Sequence, residues 1–481
     1  MQGTNIVAGT ARLYGVTDDD YVIYSSGSTL SAVPIAGGTP VTIYDNTAGT
    51  PIDVFVVHDV VIVYSNVTAT YVASLSVWSH AIGALKLLSS TANDIAVSPD
   101  SAHVVYTTNV NTGGTVGDVY GAATDGSGAT PLVTSVVMDS TAAPDCFPYA
   151  LFDGSYAVVS SCAAGDAGAS TPATVSSFDI AGSWAATALV TNAIGGYFTV
   201  DSSGHDVVTV GVDPPNAAAI STVSGGTPTT FFGQVGPAPF LYVSRSSGFA
   251  VFSEATGGLG YASIADPTAP SPVVSSMLAA NDAGLGSAAW VCGVSPDETH
   301  VAYAGGLQNL GIEIPSSLTV QGFPTTPGGA APAPLTVFSG AYVYPGGWTA
   351  DGSYLFYSTS LQPNGESGSA AGMTGTLSAF NVTTGQSVAI TTNPTVSMGV
   401  PFTGTRFAYD QNFQVNSKNT NGWNGAGWAD LYFADATTAS EGTLVQPGVD
   451  AWFYVTRDYS NLIYSVTRGG STDGVYVVPA P

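Results

Sequence analysis

Short apolar runs, each closed by Gly, Asp, Ser or Thr, alternate from one end of the chain to the other. No segment sustains the 3.6-residue period of an amphipathic helix, so strands are predicted throughout. The runs recur about every 48 residues, a spacing typical of propeller and solenoid repeats. Each copy has four parts. An apolar strand ends in a tight turn with Asp or Gly, and a second strand closes on an aromatic residue. A third strand alternates, and a fourth is rich in Thr and Val. The pattern predicts an all-β chain of four-stranded sheets.

Three copies show the unit clearly. Ile95-Ala-Val-Ser-Pro-Asp100 leads into His103-Val-Val-Tyr106, then Asp118-Val-Tyr-Gly-Ala and Pro131-Leu-Val-Thr134. Trp290-Val-Cys-Gly-Val-Ser-Pro-Asp297 leads into Val301-Ala-Tyr303, and Trp348-Thr-Ala-Asp-Gly352 into Tyr354-Leu-Phe-Tyr357. Weaker copies place first hairpins near 13–24, 53–64, 147–159, 197–210, 239–252, 396–409 and 452–464. The second strand closes on Tyr24, Tyr64, Tyr106, Phe252, Tyr303, Tyr357, Tyr409 or Tyr464. A ring at one register suits sheets that bury their faces against each other.

The turn Ser-Pro-Asp-(Gly)-x-x-(apolar)-x-(aromatic), at Ser98–Tyr106, Ser295–Tyr303 and Thr349–Tyr357, resembles the TolB-type, WD-like propeller repeat. That repeat also builds the propeller of the prolyl-oligopeptidase family. The resemblance spans essentially the whole chain and is sharp in three copies; elsewhere the turn has drifted, as at Phe152-Asp-Gly154. It implies a β-propeller of about ten four-stranded blades and, because the repeat is structural, little about activity.

The last copy has only three strands, ending Gly474-Val-Tyr-Val-Val-Pro479, and Thr4-Asn-Ile-Val-Ala8 stands alone before the first. The first segment is therefore expected to supply the missing outer strand and close one ring, which would remove exposed sheet edges. The alternative is two smaller propellers in tandem, crossing near residue 236. The absence of a Pro/Gly/Ser linker there favours a single domain over 1–481.

Composition narrows the function. Hydrophobic residues are 45% of the chain and charged residues only 8%, so the surface is largely Ser, Thr, Asn, Gly and Ala. Seven Lys and Arg stand against 33 Asp and Glu, a net charge of -26. That balance opposes binding to nucleic acid phosphates and to anionic membrane surfaces. No apolar run is long enough to span a membrane, since Val54–Tyr64 is broken by His58 and Asp59. The start, Met1-Gln-Gly-Thr-Asn5, lacks the order of a signal peptide. The composition nevertheless suits a bacterial protein that is extracellular, periplasmic or at the cell surface, and a leader removed before Met1 is expected.

Catalytic chemistry is sparse. The prolyl-oligopeptidase resemblance invites a search for a serine hydrolase, but no Gly-x-Ser-x-Gly elbow occurs. TolB-like repeats also occur in oligogalacturonate lyases, whose histidines gather a metal at the ring axis; His58, His80, His103, His205 and His300 show no such gathering. Asp100, Asp153, Asp201, Asp297, Asp351 and Asp458 fall in the first turn, where carboxylates accept backbone N–H bonds. Asp18-Asp-Asp20 and Asp125-Gly-Ser-Gly128 lack the rest of a calcium loop. No catalytic residue, metal or cofactor is assigned. Cys146 and Cys162 stand equidistant from the turn at Asp153–Ser155, so a hairpin would set them opposite each other as a disulfide, two thiols being the alternative. Cys292 reads as a small buried hydrophobe.

Function then falls to the long second-to-third-strand loops at 108–117, 163–173, 306–316, 360–375 and, longest, 410–430. The last holds Asn412, Phe413, Asn416, Asn419, Asn421, Trp423, Asn424 and Trp428. Amides beside aromatic rings suit a protein interface or a neutral sugar. The same residues also fit a loop folded onto its own blade. The reading is a non-enzymatic interaction or assembly scaffold, with a protein partner or a second copy of itself. The alternative is a lectin-like propeller for a glycan or small ligand.

Overall fold

The alternation of apolar and polar positions becomes a series of antiparallel meanders. The computed structural model describes residues 3–46, 52–138, 148–163, 173–193, 198–200, 206–212, 217–232, 241–244, 248–253, 259–263, 271–274, 290–305, 308–309, 313–325, 329–340, 343–363, 373–393, 399–415, 427–450 and 453–480. Among the described residues eight sheets have four strands, and one eight-stranded sheet consists of two consecutive meanders joined where Ala193 pairs with Val212. These are the blades of a β-propeller. In chain order they occupy 12–45, 52–92, 95–137, 149–193, 198–232, 241–274, 290–339, 344–389, 400–450 and 453–479, and are called blades 1 to 10. Where its residues are described, each predicted first hairpin falls on its blade. Thr4–Ala8 pairs with Gly474–Pro479 as the outer strand of blade 10, as expected from the orphan apolar segment.

The chain divides into two compact units. One comprises 1–42, 273–325 and 330–481, and the other 43–272 and 326–329. Within each unit the core lies between consecutive blades. In the second unit, Ile62, Leu75 and Val77 of blade 2 meet Val104 and Ala122 of blade 3. Val105 and Val119 of blade 3 then meet Phe152, Val159 and Phe178 of blade 4. In the first unit, Leu355 and Phe380 of blade 8 cover Leu318 and Val320 of blade 7. Phe356 of blade 8 packs on Phe407 of blade 9, ring centroids 4.5 Å apart. Blades 9 and 10 join through Leu431, Phe433, Leu462 and Tyr464, and blades 10 and 1 through Ile463, Val475, Val22 and Tyr24. Burying these faces supplies the main favourable term for folding.

The aromatic at the end of the second strand has the predicted packing role. Tyr24, Tyr106, Phe252, Tyr357, Tyr409 and Tyr464 are buried. Several also meet a third-strand ring: Tyr464 stacks on Tyr476 at 5.4 Å, and Tyr409 lies 5.7 Å from Tyr432.

Two expected loops are shorter than the sequence implies. The second strand of blade 8 runs on to Pro363, and the third begins at Met373. In blade 9 the strands Arg406–Val415 and Gly427–Asp435 carry the ladder into the segment read as a loop from 410 to 430, with Gln414 opposite Trp428. Backbone pairing continues there despite the polar sequence, because a bulge between Gln411 and Gln414 resets the register.

Candidate functional site

The first turns of the blades share one hydrogen-bonded design. Ser98 Oγ donates to Asp100 Oδ1 at 2.6 Å, the same carboxylate oxygen accepts the N–H of Ala102, and Ser98 Oγ accepts the N–H of His103. The design recurs at Ser295/Asp297, Thr349/Asp351 and Thr456/Asp458. Thr17 donates to Asp19 and accepts from Tyr21 in a shorter version. The fourth turn residue takes a left-handed conformation: Ser101 (φ 59°), Glu298 (57°), Gly352 (74°) and Tyr459 (59°). These carboxylates are therefore held by their own turns. Hydrogen bonds from Thr456 and Ser460 bring the Asp458 carboxyl down to about 2. Asp100, Asp297, Asp351 and Asp458 thus lie in first turns as expected, each held by the Ser or Thr two residues earlier in the turn motif; Asp153 lacks such a residue, and Asp201 lies outside the described residues.

The blade 9 hairpin offers the best-organised polar surface among the predicted site residues. Asn412 occupies the bulge at φ 60°, and its Nδ2 donates to Asp430 Oδ2 at 3.0 Å across the hairpin. Asp430 Oδ1 accepts the N–H of Gly448 at 2.9 Å. The Phe413 ring lies over Gly427, where any Cβ would overlap it. Trp428 is half-buried beneath the Arg468 guanidinium, 5.4 Å from ring centroid to Cζ, while Arg468 Nε donates to the Gly448 carbonyl at 2.9 Å. The Arg468 loop is itself fixed by Asp473, which accepts N–H bonds from Arg468, Gly469 and Gly470. Opposite Trp428, Asp450 accepts from Ser465 Oγ and Thr467 Oγ1, and burial pushes its carboxyl above the usual range. Asn412, Phe413 and Trp428 are thus brought together at the base of one hairpin, with Trp428 and Phe413 serving partly as packing. Asn416, Asn419, Asn421, Trp423 and Asn424 lie outside the described residues.

No protein-family description matches the chain, and no curated protein sequence does. Among solved structures it is similar to the tricorn protease, at 11% identity and TM-score 0.35 over 98% of this chain. It is also similar to dipeptidyl peptidase 4 of Porphyromonas gingivalis, at 9% and 0.47 over 84%, and to a TolB-type chain of Agrobacterium tumefaciens, at 14% and 0.27 over 55%. The chain spans 52% of the tricorn chain, 65% of the peptidase chain and 80% of the TolB chain. The fold assignment rests on the blade order of this chain itself.

The histidines occupy turns and strand starts. His58 sits in the first turn of blade 2 at φ 54°, His103 meets Trp184 edge-on at 6.1 Å, and His300 Nδ1 shares a 2.7 Å hydrogen bond with Thr299. His205 lies outside the described residues. Among the described residues no three His, Cys, Asp or Glu side chains converge as metal ligands. Cys162 is buried and disulfide-bonded, whereas Cys146 lies outside the described residues. Burial pushes the Cys292 thiol up to about 12.

Sequence reasoning missed a cavity of about 390 Å³ at the junction of blades 2 and 3. Phe55, Tyr64 and Tyr71 wall it, and Asp53 and Asp94 bring two carboxylates. The available signal was Phe55, an aromatic residue in a strand of Val and Ile, followed at the end of the blade by the polar pair Asn93-Asp94. Nothing in the linear pattern brings those two segments together.

Proposed function

We propose that the chain is a non-enzymatic interaction propeller of the cell surface, periplasm or extracellular space. Its recognition surface is the blade 9 hairpin with the adjoining Arg468 loop, and its partner is a protein or a second copy of itself. The observation that carries this reading is Trp428 fixed beneath Arg468, because Trp and Arg held rigidly at a surface are the side chains that most often dominate protein interfaces. The clamps from Asp430 and Asp473 support it by removing the entropy that ordering a mobile loop would cost on binding. The disulfide at Cys162 supports an oxidising compartment, and pairing with Cys146 is the proposed connectivity.

The test is light scattering coupled to size-exclusion chromatography, with crosslinking on the producing cells, for the parent, Trp428→Ala and Trp423→Ala chains. Loss of self-association or of one crosslinked partner in Trp428→Ala supports the interface. A glycan array on the same three chains separates the lectin reading. Glycan binding abolished in Trp423→Ala, with no protein partner, would replace the scaffold by a sugar-binding propeller.

A further inference from the structure

The cavity between blades 2 and 3 goes beyond the hairpin reading and does not depend on it. Its volume of about 390 Å³ falls within the usual range for small-molecule sites, and its lining is mostly apolar. Phe55 projects from the first strand of blade 2, 54% exposed, and meets Tyr64 edge-on with ring centroids 6.1 Å apart. Tyr71 is 79% exposed on the second-to-third-strand loop of that blade and adopts φ 57°. A bulky side chain in this left-handed region is unfavourable and persists only where its surroundings impose it. Thr68 imposes it: its carbonyl accepts the N–H of Tyr71 at 3.0 Å, its N–H donates to the Val72 carbonyl at 2.9 Å, and its hydroxyl accepts the N–H of Val72 at 3.1 Å. Two large aromatic surfaces are thus kept in solvent beside a cavity when burial would favour the fold.

The polar end of the cavity is equally well built. Asp94 lies on the connection into blade 3. The Thr107 hydroxyl accepts the N–H groups of both Asn93 and Asp94 at 2.9 Å, and the Thr107 N–H donates to the Asp94 carbonyl at 3.0 Å. Asp94 Oδ1 accepts the N–H of Ile95 at 2.8 Å, while among the described residues no hydrogen bond reaches Oδ2. Asp53 adds a second carboxylate from blade 2, and among the described residues no Lys, Arg or His lines the cavity.

We propose that this cavity is a binding site for a small organic ammonium compound, with the ammonium group at Asp94 and Asp53 and an aromatic or short aliphatic body against Phe55, Tyr64 and Tyr71. Other ligand classes fit less well. An anion meets two carboxylates on a chain of net charge -26. A neutral hydrocarbon leaves Asp94 further desolvated without a partner, which is unfavourable for a carboxylate. A calcium ion takes six to eight oxygen ligands, more than the carboxylates and amide of Asp53, Asp94 and Asn93 supply beside a lining that is otherwise aromatic and aliphatic. An ammonium group gains a charge-assisted hydrogen bond in a lining that also holds Phe55, Tyr64 and Tyr71.

The experiment is calorimetric titration of the full chain at pH 7.5 with 2-phenylethylammonium, 2-phenylethanol and phenylacetate. The amine should bind at least about tenfold more tightly than the alcohol, the range expected when a charged hydrogen bond is lost. Phenylacetate should not bind. Asp94→Asn should weaken the amine by about the same factor and leave the alcohol unchanged. Phe55→Ala, which alters an exposed side chain and spares the core, should weaken amine and alcohol alike. Equal affinity for amine and alcohol, no binding of the amine, or an Asp94→Asn chain that binds it normally overturns the proposal. A short lysyl peptide that binds more tightly than the free amine would assign the site to a protein side chain and overturn it as a small-molecule site.

Discussion

The backbone N–H of Gly3 donates to the Tyr464 hydroxyl at 3.3 Å, across 461 positions of chain. Beside that bond Thr4, Asn5, Val7 and Ala8 pair with Val477, Tyr476, Val475 and Gly474. A Cβ on residue 3 would stand 2.8 Å from the Tyr464 hydroxyl and 3.0 Å from the Val477 carbonyl, so glycine is what lets the N-terminal segment settle against blade 10. Burial pushes the Tyr464 phenol up to about 12 and keeps it a neutral partner for that N–H at physiological pH.

Deleting residues 1–8 should leave Gly474–Pro479 as an open sheet edge, and such edges pair with other chains. The expected result is a lower melting temperature and increased light scattering on heating. Differential scanning fluorimetry with scattering detection reads both, and unchanged traces would show that the outer strand is dispensable.

The hydroxyl residues of the first-turn design are buried although they sit in turns, so their loss should be felt by the fold. Ser98→Ala removes the partner of both Asp100 Oδ1 and the His103 N–H, and should cost about 1–2 kcal/mol in urea unfolding. The turn at Thr456 carries a pH signature. The Asp458 carboxyl titrates near 2 in the folded chain against an ordinary 3.8, so its contribution is complete above about pH 4 and disappears as pH falls towards 2. Asp458→Asn should therefore unfold at a lower urea midpoint than the parent at pH 6, and the gap should close towards pH 2.

Gly448 holds φ 59° with the Arg468 guanidinium in the space where a Cβ would go. Gly448→Ala should displace Arg468 from Trp428 and from the Gly448 carbonyl, at a cost of about 1–3 kcal/mol from strain and overpacking together. Arg468→Lys keeps the charge but loses the planar stack, and should cost less than about 1 kcal/mol. Melting temperatures of the two variants separate backbone strain from the ring contact.

Asp94 is costly to the fold. Burial pushes its carboxyl up to about 6, so the ionised form is disfavoured in the folded chain. The penalty is absent below about pH 4, grows through the interval to pH 6, and is complete above it. Asp94→Asn should therefore be more stable than the parent at pH 7.5, by on the order of 1–3 kcal/mol, and no more stable at pH 3.5. Asp53 and Tyr64 line the same cavity, and burial and Asp94 both raise the Tyr64 phenol, so Tyr64 stays neutral across this window. Urea unfolding at both pH values checks it; a less stable Asn variant at pH 7.5 would show that the carboxylate supports the fold.

With Cys146 and Cys162 paired, alkylation under denaturing, non-reducing conditions should label Cys292 alone, and prior reduction should expose all three cysteines. Reduction should lower the stability of blade 4 by about 2–4 kcal/mol. Three labelled cysteines before reduction would remove the pairing.

Local sequence determined the blades. The apolar run, the Ser/Thr-x-Asp turn and the closing aromatic lie within one hairpin, so Ser98, Asp100 and Tyr106 could be read together from the chain alone. Even the distant pairing of Thr4–Ala8 with blade 10 was legible, because a lone strand and a three-stranded blade each leave a backbone edge unsatisfied. The predicted recognition segment was only half legible: its polar residues marked a connection, but the ladder continues through Asn412 and Trp428 because the cross-strand bonds do not depend on side-chain polarity.

Tertiary structure alone decided the rest. Phe55 lies in blade 2 and Asp94 on the connection into blade 3, and Trp428 and Arg468 likewise meet only where two blades adjoin. Periodicity reports which face of a strand is buried. It carries no information about which side chains of the next blade share the space above that face, since this depends on sheet twist and blade spacing. The repeat therefore specified the scaffold, and packing between neighbouring segments set Arg468 over Trp428 and placed Asn93 and Asp94 beside Phe55.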